Sequence, residues 1–218
     1  AEVITAWGRL GYPRRALRLH ECAKVITNEY EGVIPRDEAE LRKLPGIGEY
    51  TAAAMVSFAF GGRSLVLDIN IRRLFARIFD GVETPKLAAT KDEKSRYEAL
   101  IPKSDPHLWA AATMELGALI CTSQSPKCGI CPVADECTWR SLDYPKSDVV
   151  KRTQSWHGTD RQCRGTVVQA LRENETLTKS QIAQLWDVPS QLEKALLTLL
   201  DDGLIESRGK NRFSLPRS

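Results

Sequence analysis

Long apolar runs are missing from this 218-residue sequence. No window approaches about 18 uninterrupted apolar residues, which excludes a membrane-spanning helix. No basic-then-apolar leader opens it, so nothing points to export. Charge of one sign is scarce as well. The formal net charge is +3, with 20 Lys and Arg against 20 Asp and Glu in residues 1–150 and 11 against 8 in residues 151–218. Such a balance does not by itself argue for a polyanion partner. Histidine is rare, and His20, His107 and His157 share no metal-ligand spacing. Outside one short stretch cysteine is nearly absent, which excludes the cysteine-dense, loop-rich scaffold of small exported proteins. Strand-like alternation is absent from residues 1–140, so an all-α architecture is expected there.

What remains is the composition of an ordinary soluble globular protein, 42% hydrophobic and 27% charged, long enough for one large domain or two modest ones. Apolar residues Ala16, Leu19, Ala23, Ile26 and Tyr30 follow a helical period over Arg14–Tyr30. Asp37, with Glu40 three residues on, predicts a capped short helix. A second helix is expected from Thr51 to about Phe60, stopped by Gly61-Gly62. Asp68 opens another, with Ile71, Leu74, Phe75 and Ile78 on its apolar stripe and Arg72, Arg73 and Arg77 off it. Helices are expected over Leu87–Leu100 and from Asp105-Pro106 into Cys121. Residues 141–159 read as a linker. Helical patterns near Asp160–Arg172, Thr178–Trp186 and Ser190–Asp202, then strand-like runs Leu204–Ser207 and Arg212–Leu215, predict a winged-helix-like module over 160–218. The sequence opens at Ala1 directly in amphipathic material, and a preceding segment of the domain is expected.

Three features carry chemistry. Cys121-x6-Cys128-x2-Cys131-x5-Cys137 places four soft ligands within 17 residues, and unpaired thiolates are costly to bury, so they must converge on one centre. A structural zinc ion and a [4Fe–4S] cluster both satisfy that spacing. Leu44-Pro45-Gly46-Ile47-Gly48 lies between two helices. Glycines one residue apart admit positive φ and let a phosphate approach the backbone at a helix start, although a tight helix–helix turn has the same composition. Asp68 is either a plain N-cap or a carboxylate at the mouth of a groove.

Taken together with Trp7-Gly8-Arg9-Leu10-Gly11-Tyr12, Leu67-Asp68-Ile69-Asn70-Ile71-Arg72-Arg73 and Met114-Glu115-Leu116-Gly117-Ala118-Leu119-Ile120-Cys121, these stretches resemble the helix-hairpin-helix DNA glycosylases of the endonuclease III superfamily. Within it they resemble the adenine DNA glycosylases of the MutY type, over roughly residues 1–140. The resemblance implies a glycosylase domain over 1–140 that includes an iron–sulfur loop at 121–137. It implies a [4Fe–4S] cluster on Cys121, Cys128, Cys131 and Cys137. Asp68 then stabilises the sugar cation left by the departing base, with Asn70 as its hydrogen-bonding companion and Tyr50 lining the pocket. Leu10 and Tyr12 wedge around the orphan 8-oxoguanine, and Gly46, Ile47 and Gly48 hold a phosphate.

The implied partner is double-stranded DNA with adenine opposite 8-oxoguanine or guanine, bound by a monomer in the cytoplasm, associated with the nucleoid and not with a membrane. Lyase-competent relatives place a lysine where this chain has Tyr50, so base removal without strand cleavage is expected. The alternatives are a superfamily glycosylase acting on an oxidised pyrimidine or a thymine mismatch, and a DNA-binding remnant without catalysis. Three departures stand out. The family's general acid is a glutamate upstream of Trp7, a role Glu2 does not take. Ile69 stands where relatives commonly have glycine. No Nudix-like domain fits the carboxy-terminal part. Cys22 and Cys163 are expected as buried small hydrophobes. Arg14, Arg15, Arg18, Arg72, Arg73 and Arg77 suit phosphate contact or an exposed helix face equally well, and a solvated face is the default for Arg161, Arg164, Lys210 and Arg212.

Overall fold

A computed structural model describes residues 1–147 and 156–217. The helices are α1 (Glu2–Trp7), α2 (Arg14–Glu29), α3 (Glu38–Leu41), α4 (Glu49–Ala54), α5 (Ile69–Asp80), α6 (Lys91–Ala99), α7 (Pro106–Glu115), α8 (Thr138–Ser141), α9 (Asp160–Glu173), α10 (Lys179–Ala183) and α11 (Pro189–Asp201). Three short strands, β1 (Leu177–Thr178), β2 (Glu206–Ser207) and β3 (Arg212–Ser214), form an antiparallel sheet in the order β1-β3-β2, with Leu177 opposite Phe213 and Ser207 opposite Phe213. Among the described residues no strand falls in 1–140, as the all-α reading expects. No described helix is long and apolar enough to cross a membrane.

Contacts divide the chain into two compact units, Ala1–Gly32 with Arg152–Ser218, and Val33–Lys151. The units do not follow the expected boundaries at 140 and 160. The cause lies in α1 and α2: Ile4 is 1% exposed within the core built by the carboxy-terminal helices, where Leu17 packs too. A polar tie fastens the same junction: Arg172 donates from Nε to the Ile4 carbonyl at 3.0 Å. On α2 the apolar stripe is corrected, since Leu19 is 55% exposed while Ala16 and Cys22 are buried. Cys163 is buried as expected. Of the expected linker 141–159, residues 148–155 lie outside the described residues.

In the unit Val33–Lys151, local signals set the helix starts. Asp37 Oδ1 accepts from the Glu40 N–H at 3.1 Å, and Asp68 Oδ1 accepts from the Ile71 N–H at 2.7 Å. The expected helix over Leu87–Leu100 begins later. Thr90 caps it by accepting from the Glu93 N–H, and Leu87 is wholly exposed. Asp105 holds the cap position of α7, but at φ 51 its side chain makes no capping bond, and Pro106 opens the helix. Two helices widen into π turns at their ends, Met55–Ala59 after α4 and Leu116–Ile120 after α7. The core of this unit forms around α5, where Phe75 meets Tyr97 edge-on at 5.0 Å and Trp109 at 6.3 Å.

Candidate active site

The turn before α4 is built as a phosphate cradle requires. Gly46 stands at φ 79, a conformation L side chains rarely adopt, and the Ile47 N–H closes the turn onto the Leu44 carbonyl at 3.1 Å. Gly48 is the N-cap of α4 and offers no side chain to the first-turn N–H groups, which leaves them to an external acceptor. A side chain at Gly48 would meet open space, so packing within the chain does not require glycine there. Glu49 would repel an anion at this helix start, but Lys94 Nζ sits 2.5 Å from its carboxylate. Tyr50, in the first turn of α4, is 45% exposed.

Asp68 and Asn70 are brought together. Oδ1 of Asp68 is engaged by the Ile71 N–H, and Oδ2 accepts from Asn70 Nδ2 at 2.9 Å, which fixes both rotation and position of the half-buried carboxylate. Asn70 is fixed in turn: its Oδ1 accepts from Arg73 Nη2 at 3.0 Å. Arg73 also donates from Nη2 to the Gly117 carbonyl at 2.6 Å and from Nε to the Cys121 carbonyl at 2.9 Å. Gly117 has no room for a side chain, because a Cβ would lie 2.8 Å from the Asn70 carbonyl oxygen. No hydrogen bond joins Tyr50 to Asp68 or Asn70 among the described residues. Ile69 is 76% exposed beside the carboxylate.

The arginines of α5 correct the expectation of an exposed or phosphate-binding face. Arg72, Arg73 and Arg77 are 9%, 8% and 1% exposed. Arg72 grips Glu93 with two donors at 2.6 and 2.9 Å, and that hydrogen bonding holds the Glu93 carboxyl below its usual range against the opposing effect of burial. Arg77 donates to the carbonyls of Glu83 and Thr122 at 3.0 and 2.8 Å and to Cys121 Sγ at 3.3 Å, and its guanidinium lies 4.5 Å from the Trp139 ring centroid. Burial pulls Arg73 below its ordinary value, and neighbouring Arg77 acts in the same direction.

All four cysteines of the loop line one recess, partly open to solvent and walled by Leu74, Ile78 and Trp139. No three His, Cys, Asp or Glu side chains among the described residues are drawn together as a single ion would need. Four thiols lining one recess suit a metal centre with soft ligands. Burial pushes the Cys121 thiol up, and the Arg77 contact opposes it. The remaining expected DNA contacts lie in the other unit. Leu10 and Tyr12 are 72% and 60% exposed on the loop between α1 and α2, where Gly8, Gly11 and Tyr12 all have positive φ. Trp7 Nε1 closes that loop by donating to the Gly11 carbonyl at 2.8 Å.

Comparison with known proteins bears on these features directly. The helix-hairpin-helix motif matches residues 29–58, and the iron-sulfur binding domain of endonuclease III matches residues 121–137, from the first loop cysteine to the last. The adenine DNA glycosylase of Mycolicibacterium smegmatis is 46% identical over 217 residues, covering 99% of this chain and 73% of that protein. The chain belongs to the adenine DNA glycosylase family. The adenine DNA glycosylase of Mycobacterium tuberculosis is 42% identical over 99% of this chain and 72% of its own length. The human adenine DNA glycosylase is 37% identical over 64% of this chain and 26% of its own length. Among solved structures, a thermostable thymine-DNA glycosylase superposes with a TM-score of 0.59 at 30% identity, and an endonuclease III–DNA complex with 0.56 at 26%, each covering 65% of both chains. The cofactor of loop 121–137 is accordingly a [4Fe–4S] cluster, and the zinc alternative is closed.

Sequence reasoning missed Arg73, Arg77 and Gly117 as parts of this site. Gly117 carried a legible signal, since a glycine inside an apolar helical run marks a close approach of backbone. The two arginines carried none, because the carbonyls of Gly117, Cys121 and Thr122 that take their donors lie more than 40 residues away in the chain.

Proposed function

We propose that this protein removes adenine from duplex DNA in which the adenine stands opposite 8-oxoguanine or guanine, and leaves the strand uncut. The observation that carries the reading is the Asp68 carboxylate, held through both oxygens by the Ile71 N–H and the Asn70 amide at the start of α5. Adenine inside a duplex is out of reach of any side chain, so it is flipped out at a cost of a few kcal/mol. Cleavage of its glycosidic bond leaves positive charge on the sugar, and a pre-oriented carboxylate stabilises that charge without reorganising during the step. Asn70 supplies the orientation, and Arg73 holds Asn70.

The cradle at Gly46, Ile47 and Gly48 binds a phosphate of the duplex through backbone N–H groups. Tyr50 lines the pocket. A phenol does not form the imine by which a lysine would cleave the strand, so the product is an intact strand with an abasic site. Leu10 and Tyr12 wedge at the orphan base. Cys121, Cys128, Cys131 and Cys137 would hold the [4Fe–4S] cluster, whose ligation would cross-link the loop. Proton delivery to the departing purine belongs, by the family resemblance, to a glutamate upstream of Trp7.

The test is single-turnover release of adenine from a duplex with adenine opposite 8-oxoguanine, by the chain together with any residues that precede Ala1 in its reading frame. Free adenine and an alkali-labile but uncut strand are expected, from brown protein containing iron. Release of thymine or an oxidised pyrimidine instead, or a strand cut without alkali, overturns the reading.

A further inference from the structure

The carboxy-terminal module has no part in the reading above, yet it reaches the loop assigned to the orphan base. Arg161, in the first turn of α9, donates from Nη1 to the Tyr12 hydroxyl at 2.6 Å. Its guanidinium carbon lies 5.4 Å from the Tyr12 ring centroid and 4.9 Å from that of Trp156. A planar cation is thus flanked by two aromatic rings, in a geometry that attracts it to both. The stack stays open: Tyr12 is 60% and Trp156 47% exposed, and Leu10 beside them is 72% exposed.

Each member is held from behind. Thr159 caps α9 by accepting from the Gln162 N–H at 3.2 Å, and its hydroxyl donates to the Trp156 carbonyl at 2.8 Å. On the other side Trp7 ties the loop at Gly11, and Arg15 lies 5.7 Å over the Trp7 ring. Tyr12 stands at φ 45, a conformation a bulky side chain adopts only when its surroundings impose it. The neighbouring Asp160 carboxylate is taken by Lys194 at 2.7 Å and by Gln191 at 2.8 Å. Among the described residues no carboxylate pairs with Arg161. Its charge and its unused N–H groups are therefore available to an anionic partner, and Arg9, Arg15 and Arg18 are exposed on the same unit.

Exposed rings beside a guanidinium paired to no carboxylate among the described residues fit a nucleic acid, whose bases stack on aromatic faces and whose phosphates take guanidinium groups. We propose that Arg161 and Trp156 are positioning residues for lesion recognition. Arg161 locks the Tyr12 ring in its bound orientation before DNA arrives, and Trp156 extends the stacking face onto the lesion-bearing strand. Ordering done in advance is ordering not lost on binding, so affinity rises where Tyr12 is used and not elsewhere. The proposal rests on the reading of Leu10 and Tyr12 as the orphan-base wedge.

The test uses the whole chain and two duplexes that differ at one pair, a non-hydrolysable adenine analogue opposite 8-oxoguanine or opposite thymine. Wild type is expected to prefer the first. Arg161→Ala is expected to lower that preference about 5- to 30-fold, with unchanged melting temperature and affinity for the second duplex within about 2-fold of wild type. Arg161→Lys, which keeps charge but not the planar stack, recovers part of the loss. Trp156→Phe is expected to abolish most of the tryptophan fluorescence change that the lesion duplex produces in wild type, while keeping the preference within about 3-fold, because phenylalanine retains a stacking face.

An Arg161→Ala protein that keeps the full preference overturns the proposal. So does equal loss on both duplexes, which makes Arg161 an ordinary phosphate contact, and so does a full fluorescence change in Trp156→Phe. A wild type without any preference overturns the wedge reading itself and the proposal with it.

Discussion

The carboxylate at Asp68 and the loop at Leu10–Tyr12 are held in opposite ways. Asp68 is supported by a chain of hydrogen bonds that runs inward from the half-buried carboxylate, through Asn70 and Arg73 to the carbonyls of Gly117 and Cys121. Leu10 and Tyr12 stand in solvent on a loop of positive φ, whose side-chain ties come from the Trp7 indole and the Arg161 guanidinium. The difference follows from the task proposed for each. A group that stabilises developing charge gains by not moving, and low-dielectric surroundings strengthen the bonds that fix it. A group that enters a base stack has to remain exposed until DNA covers it. Damage to the first support therefore costs stability and chemistry together, whereas damage to the second costs recognition alone.

The sharpest way to break that contrast is Arg73→Met. It leaves the buried Gly117 carbonyl and the part-buried Asn70 Oδ1 short of a donor, so a loss of roughly 3 kcal/mol in unfolding free energy is expected, together with a fall of about 100-fold in single-turnover excision. Denaturant melts and excision rates measured on one preparation check it; full excision in a destabilised protein would uncouple the two. Gly117→Ala comes next. Its Cβ would press on the Asn70 backbone at 2.8 Å, with an expected cost of about 1–3 kcal/mol. Excision is expected to fall about 10-fold while duplex affinity in a gel-shift titration stays put.

Glu93→Gln probes the buried pair behind the first turn of α5. Arg72 holds the Glu93 carboxyl below its ordinary value, so the pair's contribution is complete above the unfolded carboxylate value of about 4.3 and disappears as pH falls through the lower folded value. Wild type should therefore lose stability on acidification in that window, and Glu93→Gln should lose about 1–2 kcal/mol at neutral pH while showing a flatter acid limb. Melting curves between about pH 7 and pH 3 decide it, and parallel acid limbs would contradict it. The smallest thermodynamic effect belongs to the other side of the comparison. Leu10→Ala, at a residue 72% exposed, should change stability by no more than about 0.5 kcal/mol. Its affinity for the lesion duplex should drop all the same.

The legible parts of this molecule were those written in short range. Caps at Asp37 and Asp68, the proline that opens α7 and the four-cysteine loop are local patterns. The structure realises each of the caps with a bond across three residues. The rest was set by distant partners. Arg72, Arg73 and Arg77 read equally as a phosphate-contacting or a solvated face, because a helical period records polarity and not the carbonyls waiting elsewhere in the fold; Arg73 finds one acceptor 48 residues on. The grouping of α1 and α2 with the carboxy-terminal helices was equally hidden, since Ile4 and Leu17 look like any amphipathic pair until Cys163 and Val167 are seen beside them. Strand β1, two residues long, left no alternation to detect.

The central claim is that one carboxylate, fixed before DNA arrives, carries the chemistry. Its most direct test compares Asp68→Asn with wild type in single-turnover adenine release opposite 8-oxoguanine, with duplex affinity measured alongside. Affinity within a few-fold of wild type and a rate lower by about 10²–10³-fold is the expected result. An Asp68→Asn protein that still releases adenine at the wild-type rate would contradict the account.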